Sequence, residues 1–363
     1  MASPTTRRWV LLRETGAIRW GGDLRRLHVL AVLGERTGAE SVRGWSRQAV
    51  QTAIRSTGGL PLPIRVGFGP RPVLGSSEML TPGAVALARR HFSMAVLDVH
   101  DHAVAQAAAL GRPHAPEVRQ AMEDRIRANM DAFSVLLVPS ASFGELAGVD
   151  ADRAVVIANG TDTEHVVPGP FPDVPRVGFA SGAAPGRGIE MLIDAARQLR
   201  GEVADLRLAL WLAAGDATGE AYVADLRRQV AEEPWIEVAG VPYEGLSAAL
   251  ATATVLAIPH PANAYLDTAV PIKLLDSMAA GRPVAVTPRL ETRRIVEAAD
   301  AGVVAAGDAP EDLAAAILPL LRDPALAARL GANGRRAAVQ TFDWRVLGAQ
   351  VADAVLERIG TRT

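Results

Sequence analysis

A chain of 363 residues, 49% of them apolar, exceeds what one hydrophobic core usually organises and carries enough apolar side chains for two domains. Its 38 Lys and Arg nearly balance 40 Asp and Glu, a formal charge of −2, which excludes the broad basic face of a nucleic-acid binder. With no cysteine, disulfides, thiolate metal sites and a Cys nucleophile are excluded too, a composition suited to a reducing cytosol.

The chain opens on polar residues that run straight into a strand-like Val10-Leu11-Leu12, without the apolar stretch and cleavage site of a secretory signal. No segment approaches the roughly 20 apolar residues of a membrane span. The expected location is cytoplasmic, with peripheral contact on the inner face of the membrane left open. Strands are predicted at 9–13, 64–68, 94–100, 135–139 and 154–157, with helices between them beginning near Asp23, Trp45, Gly83 and Ala115. Gly21-Gly22-Asp23 precedes a helix bearing Leu24, Leu27, His28 and Leu30, and reads either as a flexible turn that meets a ligand or as an N-cap at Asp23. Asp98-Val99-His100-Asp101-His102 ends the third predicted strand. Neighbouring side chains at a strand end diverge and no partner cluster with ligand spacing follows, so these residues suggest hydrogen bonding or polarisation in a site, not a metal. His28, His91, His114, His165 and His260 lack comparable surroundings and are expected to be structural or exposed.

Residues 166–175 are too rich in proline for a helix or strand interior and read as a linker. The predicted organisation is therefore an N-terminal domain over 1–166, a linker over 167–175, a second domain over 176–340 and a C-terminal helix over 341–363 that packs back on the first domain. Beyond the linker, apolar runs at 177–180, 206–213, 236–239, 255–259, 284–287 and 302–305 alternate with helix-period segments. That alternation predicts parallel βαβ units with both sheet faces covered. In the first of these helices Ile189, Leu192, Ile193, Ala196 and Leu199 share one face.

Two segments of this second half suggest anion chemistry. Pro271 opens a helix continued by Leu274, Leu275 and Met278 and stopped at Gly281. Val270 before it is a poor cap, so the first-turn N–H groups lack a side-chain acceptor and a phosphate is the natural substitute. Lys273 and Asp276, three positions apart, offer an ammonium for phosphate and a carboxylate that accepts two hydroxyls, or else simply pair with each other. The second segment, 181–188, is a small-residue loop from Ser181 and Gly182 to Gly188; its Arg187 can grip phosphate bidentately. Both segments follow strand carboxyl ends, where open α/β sheets bind ligands.

Together, Val177-Gly178-Phe179-Ala180, Gly186-Arg187-Gly188-Ile189, Val238-Ala239-Gly240-Val241-Pro242-Tyr243 and above all Pro271-Ile272-Lys273-Leu274-Leu275-Asp276-Ser277-Met278-Ala279-Ala280-Gly281-Arg282-Pro283-Val284 resemble the retaining GT-B glycosyltransferases, in particular glycosyltransferase family 4. Gly21-Gly22-Asp23-Leu24-Arg25-Arg26-Leu27, Leu97-Asp98-Val99-His100-Asp101 and Ile157-Ala158-Asn159-Gly160-Thr161-Asp162 are similar to landmarks of the first domain in the expected order. The resemblance implies an α/β fold of GT-B architecture, two Rossmann-like doubly wound parallel-sheet domains facing each other across a cleft. It implies transfer of a sugar from a nucleoside-diphosphate sugar with retention, without metal or other cofactor, to a sugar, glycan, lipid or small-molecule acceptor.

Carried over by position, the resemblance gives Asp276 the ribose hydroxyls, Arg187 the pyrophosphate, and the backbone from Thr268, Ala269 and Val270 through Pro271, Leu274 and Leu275 the phosphates and part of the sugar. Gly21, Gly22, Ser181 and Gly182 join the donor site, and His100 and Asp101, with Arg187 and Lys273, the catalytic group. The family pattern has two acids eight positions apart; here Asp276 is the second, and Thr268, beside Asp267, stands at the first. A second cation of the family's glycine-rich loop is replaced by Gly182 or a neighbour, and Lys273 is the available substitute. Two other readings share the architecture: a sugar-nucleotide epimerase drawing on Asp98, His100, Asp101 and His102, and a catalytically silent nucleotide-sugar-binding protein.

Overall fold

The computed structural model describes residues 10–12, 25, 72–75, 85 and 94–360. By contact the chain divides into two compact units. The first comprises Met1–Val104, His114–Ala158 and Trp344–Thr363; the second comprises Ala105–Pro113 and Asn159–Asp343. No helix among the described residues is long and apolar enough to cross a membrane.

In the first unit, β1 (Val10–Leu12), β2 (Pro72–Gly75), β3 (Met94–Asp98), β4 (Val135–Val138) and β5 (Ala154–Val156) form a parallel sheet in that order. Four of these, β1, β3, β4 and β5, coincide with sequence expectations to within two residues. β2 was not anticipated, because Pro72 hides a short strand that tolerates proline at its first residue. The strand expected over 64–68 and the helix near Trp45 lie outside the described residues, as do Gly21 and Gly22. Arg25 and Val85 are helical, as the starts near Asp23 and Gly83 anticipated. Helix α1 (Ala103–Ala109) follows β3, and Pro116 fills the first turn of α2 (Pro116–Ala132), where its missing N–H is harmless. Helix α3 (Ala141–Leu146) is capped by Ser140, whose Oγ accepts from Phe143 N at 3.0 Å. The C-terminal helix, Trp344–Gly360, buries Trp344, Leu347, Val351 and Ala352.

The second unit holds six strands: β6 (Arg176–Gly182), β7 (Arg207–Ala213), β8 (Ile236–Ala239), β9 (Val255–Ile258), β10 (Val284–Val286) and β11 (Gly302–Val304). All pair in parallel, in the order β11-β10-β9-β6-β7-β8. The chain winds outward from β6 through β7 to β8, then returns to β9 on the other side of β6. The switch point of this doubly wound sheet therefore lies between β6 and β9.

Alternating residues of each strand serve opposite cores. Val177, Phe179, Leu208, Leu210 and Val255 pack on α4 (Ile189–Glu202) and α10 (Pro310–Arg322), which supply Leu192, Ile193, Leu313 and Ile317. Ala209, Trp211, Leu256, Ile258 and Val284 face Leu274, Leu275 and Met278 of α8 (Ile272–Ala279). The five residues expected on one face of α4 are all buried. The remaining helices of this unit are α5 (Ala217–Gln229), α6 (Tyr243–Ala251), α7 (Ala264–Thr268), α9 (Leu290–Ala299) and α11 (Pro324–Ala337), the last continued by a π-helical turn over Ala338–Phe342.

The proline-rich stretch is anchored by a buried arginine. Arg282 Nη2 donates to the carbonyls of Gly169, Pro170 and Ala251 at 3.0, 2.6 and 2.6 Å, and its guanidinium lies 4.3 Å from the Phe171 ring centroid.

Candidate active site in the second unit

The carboxyl ends of β6 and β9 and the first turn of α8 meet at the switch point. β6 runs through Ser181 and Gly182, which pair with Leu212 and Ala213, so these residues belong to the strand and not to the loop where the sequence reading placed them. Small side chains still permit ladder pairing, which extends the strand past its last apolar residue. The loop proper covers 183–188 and ends at Gly188, whose φ of +77° favours glycine. A Cβ there would sit 1.6 Å from Pro259 O, so the loop can lie against the end of β9 only as glycine. Helix α4 starts from this residue without a side-chain cap.

Helix α8 also begins bare. Pro271 is its N-cap and Ile272 its first residue, one position later than expected, because Pro271 keeps an extended ψ of 125°. No side chain caps it, as the sequence suggested. Its approach is fixed by Asn159, whose Nδ2 donates to Val270 O at 2.8 Å.

Lys273 Nζ lies 3.0 Å from Ser181 Oγ, 3.0 Å from His260 Nε2 and 5.2 Å from the Phe179 ring centroid. Burial and the nearby Arg187 guanidinium hold the Lys273 ammonium well below the usual lysine range. Among the described residues no carboxylate forms an ion pair with it. His260, expected to be structural or exposed, is buried two residues past β9, and burial, Lys273, Arg187 and Arg289 all keep its imidazole neutral. Its carbonyl accepts from Thr287 Oγ1 at 2.6 Å. Arg289, also buried, is neutralised by Asp267 at 3.2 Å and Asp308 at 2.5 Å.

Asp276 does not pair with Lys273. It is buried about one turn into α8, where its Oδ1 accepts from Thr161 Oγ1 at 2.6 Å. Burial pushes its carboxyl up to about 7, against the lowering effect of the Thr161 bond and of His165, with Asp162 adding to the rise. His165 stacks on Tyr243 at 4.4 Å between centroids and hydrogen-bonds Tyr243 O at 2.9 Å. Thr268 Oγ1 donates to the carbonyl of Tyr265 at 3.0 Å, within its own short helix, and the next residue, Ala269, ends that helix.

The structure thus gathers Ser181, Gly182, Arg187, Val270, Pro271 and Lys273 around one edge, with Leu274 and Leu275 buried behind them as core. Sequence reasoning missed Asn159, Thr161 and His260. The first two stand in the segment 157–162 noted for its resemblance, and His260 stands two residues past a strand at the switch point, which was the available signal.

His100 and Asp101 belong to the first unit. There Asp98, expected to serve a ligand, is instead buried against Arg25, with Nε–Oδ2 and Nη2–Oδ1 both 2.9 Å, and His100 Nδ1 lies 3.4 Å from its Oδ2. Burial alone would raise the Asp98 carboxyl, but Arg25 and His100 hold it well below the usual range. Arg25 also donates to Ile157 O and Ala158 O at 2.9 and 2.8 Å. Asp101 Oδ1 accepts from His102 N at 2.8 Å.

Residues 174–323 match the family described as Glycosyl transferases group 1. The chain is 28% identical, over 93% of its own length and 92% of the relative's, to the GDP-mannose-dependent alpha-(1-6)-phosphatidylinositol monomannoside mannosyltransferase of Mycolicibacterium smegmatis. It is a GT-B glycosyltransferase. The MMP alpha-(1->4)-mannosyltransferase of Mycolicibacterium hassiacum is 31% identical over 62% of this chain and 54% of that one. Among solved structures, sucrose-phosphate synthase from Thermosynechococcus elongatus superposes on the transferase with a TM-score of 0.72 at 17% identity, covering 98% of this chain and 100% of that one. Anabaena HepE in complex with UDP gives 0.69 at 17% identity, covering 96% and 100%. The transferase therefore shares its fold with both.

Proposed function

We propose that the transferase moves a hexosyl unit from a nucleoside-diphosphate sugar to its acceptor with retention of anomeric configuration and without a metal ion, as a member of glycosyltransferase family 4. The observation that carries this reading is Lys273, a part-buried ammonium at the switch point with no carboxylate paired to it among the described residues. A cation largely withdrawn from water in such a place calls for an anion. Arg187 and the uncapped first turns of α4 and α8 serve the same anion, and a diphosphate is the anion large enough to meet all of them.

The UDP bound by HepE and the GDP-mannose dependence of the mycobacterial relative support a nucleotide donor. Asp276 lies one helical turn from Lys273 and is suited to the ribose hydroxyls, with one oxygen held by Thr161. In transfer, the acceptor oxygen bonds to the anomeric carbon on the face from which the diphosphate leaves. The departing diphosphate oxygen takes the acceptor proton, while Lys273, Arg187 and the helix N–H groups stabilise the charge that develops on it. These fixed cations do the work that a bound metal does elsewhere.

The test is a panel of UDP-, GDP-, ADP- and TDP-sugars incubated in EDTA with acceptor extracts, read by mass spectrometry. Because both mycobacterial relatives are mannosyltransferases, GDP-mannose leads the panel, and the lipid in one relative's name puts lipid-linked acceptors in the extract. Nucleotide released together with a glycosylated acceptor is the expected result. A changed sugar still attached to nucleotide would establish an epimerase instead, and a protein that binds none of the nucleotides would refute the site.

A further inference from the structure

We propose that His260 is a positioning residue that holds the Lys273 ammonium in place for the donor diphosphate. The inference rests on the reading of this edge as the donor site, and goes beyond it by giving a role to a side chain that touches the lysine and not the substrate.

A lysine ammonium is a point charge on a flexible stem with three donors and no fixed geometry of its own. Two neutral acceptors restrict Lys273: Ser181 Oγ on β6 and His260 Nε2 past β9, both at 3.0 Å. These come from the two strands that flank the switch point, so the ammonium is held across it, and one N–H is left over for a phosphate oxygen. For His260 to accept at Nε2 its proton must sit on Nδ1, and the ring must be neutral. Every charged group facing it favours that state, since Lys273, Arg187 and Arg289 are all cations and the ring is buried.

The other ring nitrogen argues against a packing role. His260 Nδ1 is buried and has no hydrogen-bond partner among the described residues. A residue kept for packing alone would do better as an apolar side chain, because burial of an unsatisfied polar atom costs stability. The imidazole is therefore explained by its Nε2. The Thr287 bond to the His260 carbonyl fixes the backbone from which the ring projects, which makes the acceptor rigid.

Calorimetric titration with GDP, and with UDP in parallel, of the wild type and of His260→Gln, His260→Asn, His260→Leu, Lys273→Met and His260→Leu/Lys273→Met decides the matter. Gln carries an amide oxygen at the reach of Nε2, whereas Asn does not and Leu only fills volume. The expected result is affinity within about three-fold of wild type for Gln and roughly ten-fold weaker for Leu and Asn, the size of one hydrogen bond to a charged group. In the Lys273→Met background, His260→Leu should cost nothing further. Equal affinities for Gln, Asn and Leu, or a Leu effect that persists undiminished without the lysine, would overturn the role. Should His260→Leu fail to fold, the Gln and Asn pair carries the same comparison. Loss of affinity in Lys273→Met with none in the His260 variants sinks the positioning role alone; wild-type affinity in Lys273→Met sinks the donor site with it.

Discussion

Asp276 gives the proposed donor site a pH dependence whose sign and size follow from its surroundings. Burial and Asp162 raise its carboxyl to about 7 from an ordinary 3.8, in spite of the Thr161 hydrogen bond and His165. A carboxylate accepts two ribose hydroxyls, and a protonated acid cannot. With a midpoint near 7, roughly one tenth of the molecules are ionised at pH 6 and nine tenths at pH 8. GDP affinity measured by calorimetry should therefore rise about ten-fold over that interval. The stability of the free protein moves the other way. Between about 3.8 and 7 the folded state binds more protons at this site than the unfolded chain, so the Asp276 contribution is fully present below the lower value and is lost as pH rises through the upper one. Asp276→Asn removes both slopes and serves as the reference that subtracts the titration of the nucleotide itself. Thr161→Val, which deletes the hydroxyl that donates to the carboxylate, should move the binding midpoint to higher pH. An unchanged pH slope in Asp276→Asn, or affinity that falls as pH rises in the wild type, would refute the assignment.

Two further substitutions test the supports of each unit. Gly188→Ala places a Cβ 1.6 Å from Pro259 O at a φ of +77°, so urea unfolding should show a loss of at least about 2 kcal/mol and calorimetry a weakened grip on nucleotide, because the shift reaches both Arg187 and His260. Arg25→Met takes the guanidinium from the buried Asp98 carboxylate of the first unit, leaves it His100 alone of the two groups that lower it, and should cost about 3–5 kcal/mol. Adding Asp98→Asn should restore part of that loss, and a double variant no more stable than Arg25→Met alone would show that the pair is not what the arginine supports.

The second half of the chain was nearly transparent to sequence reasoning, because its strands are buried on both faces and stand out as continuous apolar runs between helices of clear period. Ile236–Ala239 emerges with the expected bounds, and the faces of α4 and α8 are those the spacing indicated. What sequence could not supply was partnership across distance. Asp98 reads as a ligand-facing acid until Arg25, 73 positions earlier, is seen to bind it. Lys273 and Asp276 read as a pair until Ser181 and Thr161, 92 and 115 positions earlier, are seen to claim one each. Local pattern reports which side chains share an element, and only the wound sheet reports which elements share an edge.

The departures from the family pattern acquire a physical account in the same way. At the first acid position, Thr268 turns its hydroxyl onto its own helix backbone, and the adjacent Asp267 does not replace the acid because Arg289 binds it. Of the two acid positions in the family pattern, Asp276 is therefore the one that keeps an acid, against Lys273 and Arg187. On the cationic side, Gly182 contributes no charge at the end of β6, but its neighbour Ser181 accepts from Lys273, so the charge reaches the same strand end from α8. A lysine that reaches in from a helix needs guides, since its stem is long and its head isotropic. Ser181 and His260 are those guides. The missing loop cation and the presence of a buried, half-satisfied histidine are thus two sides of one arrangement, and a chain with a cation restored to the loop would have no further need of the histidine.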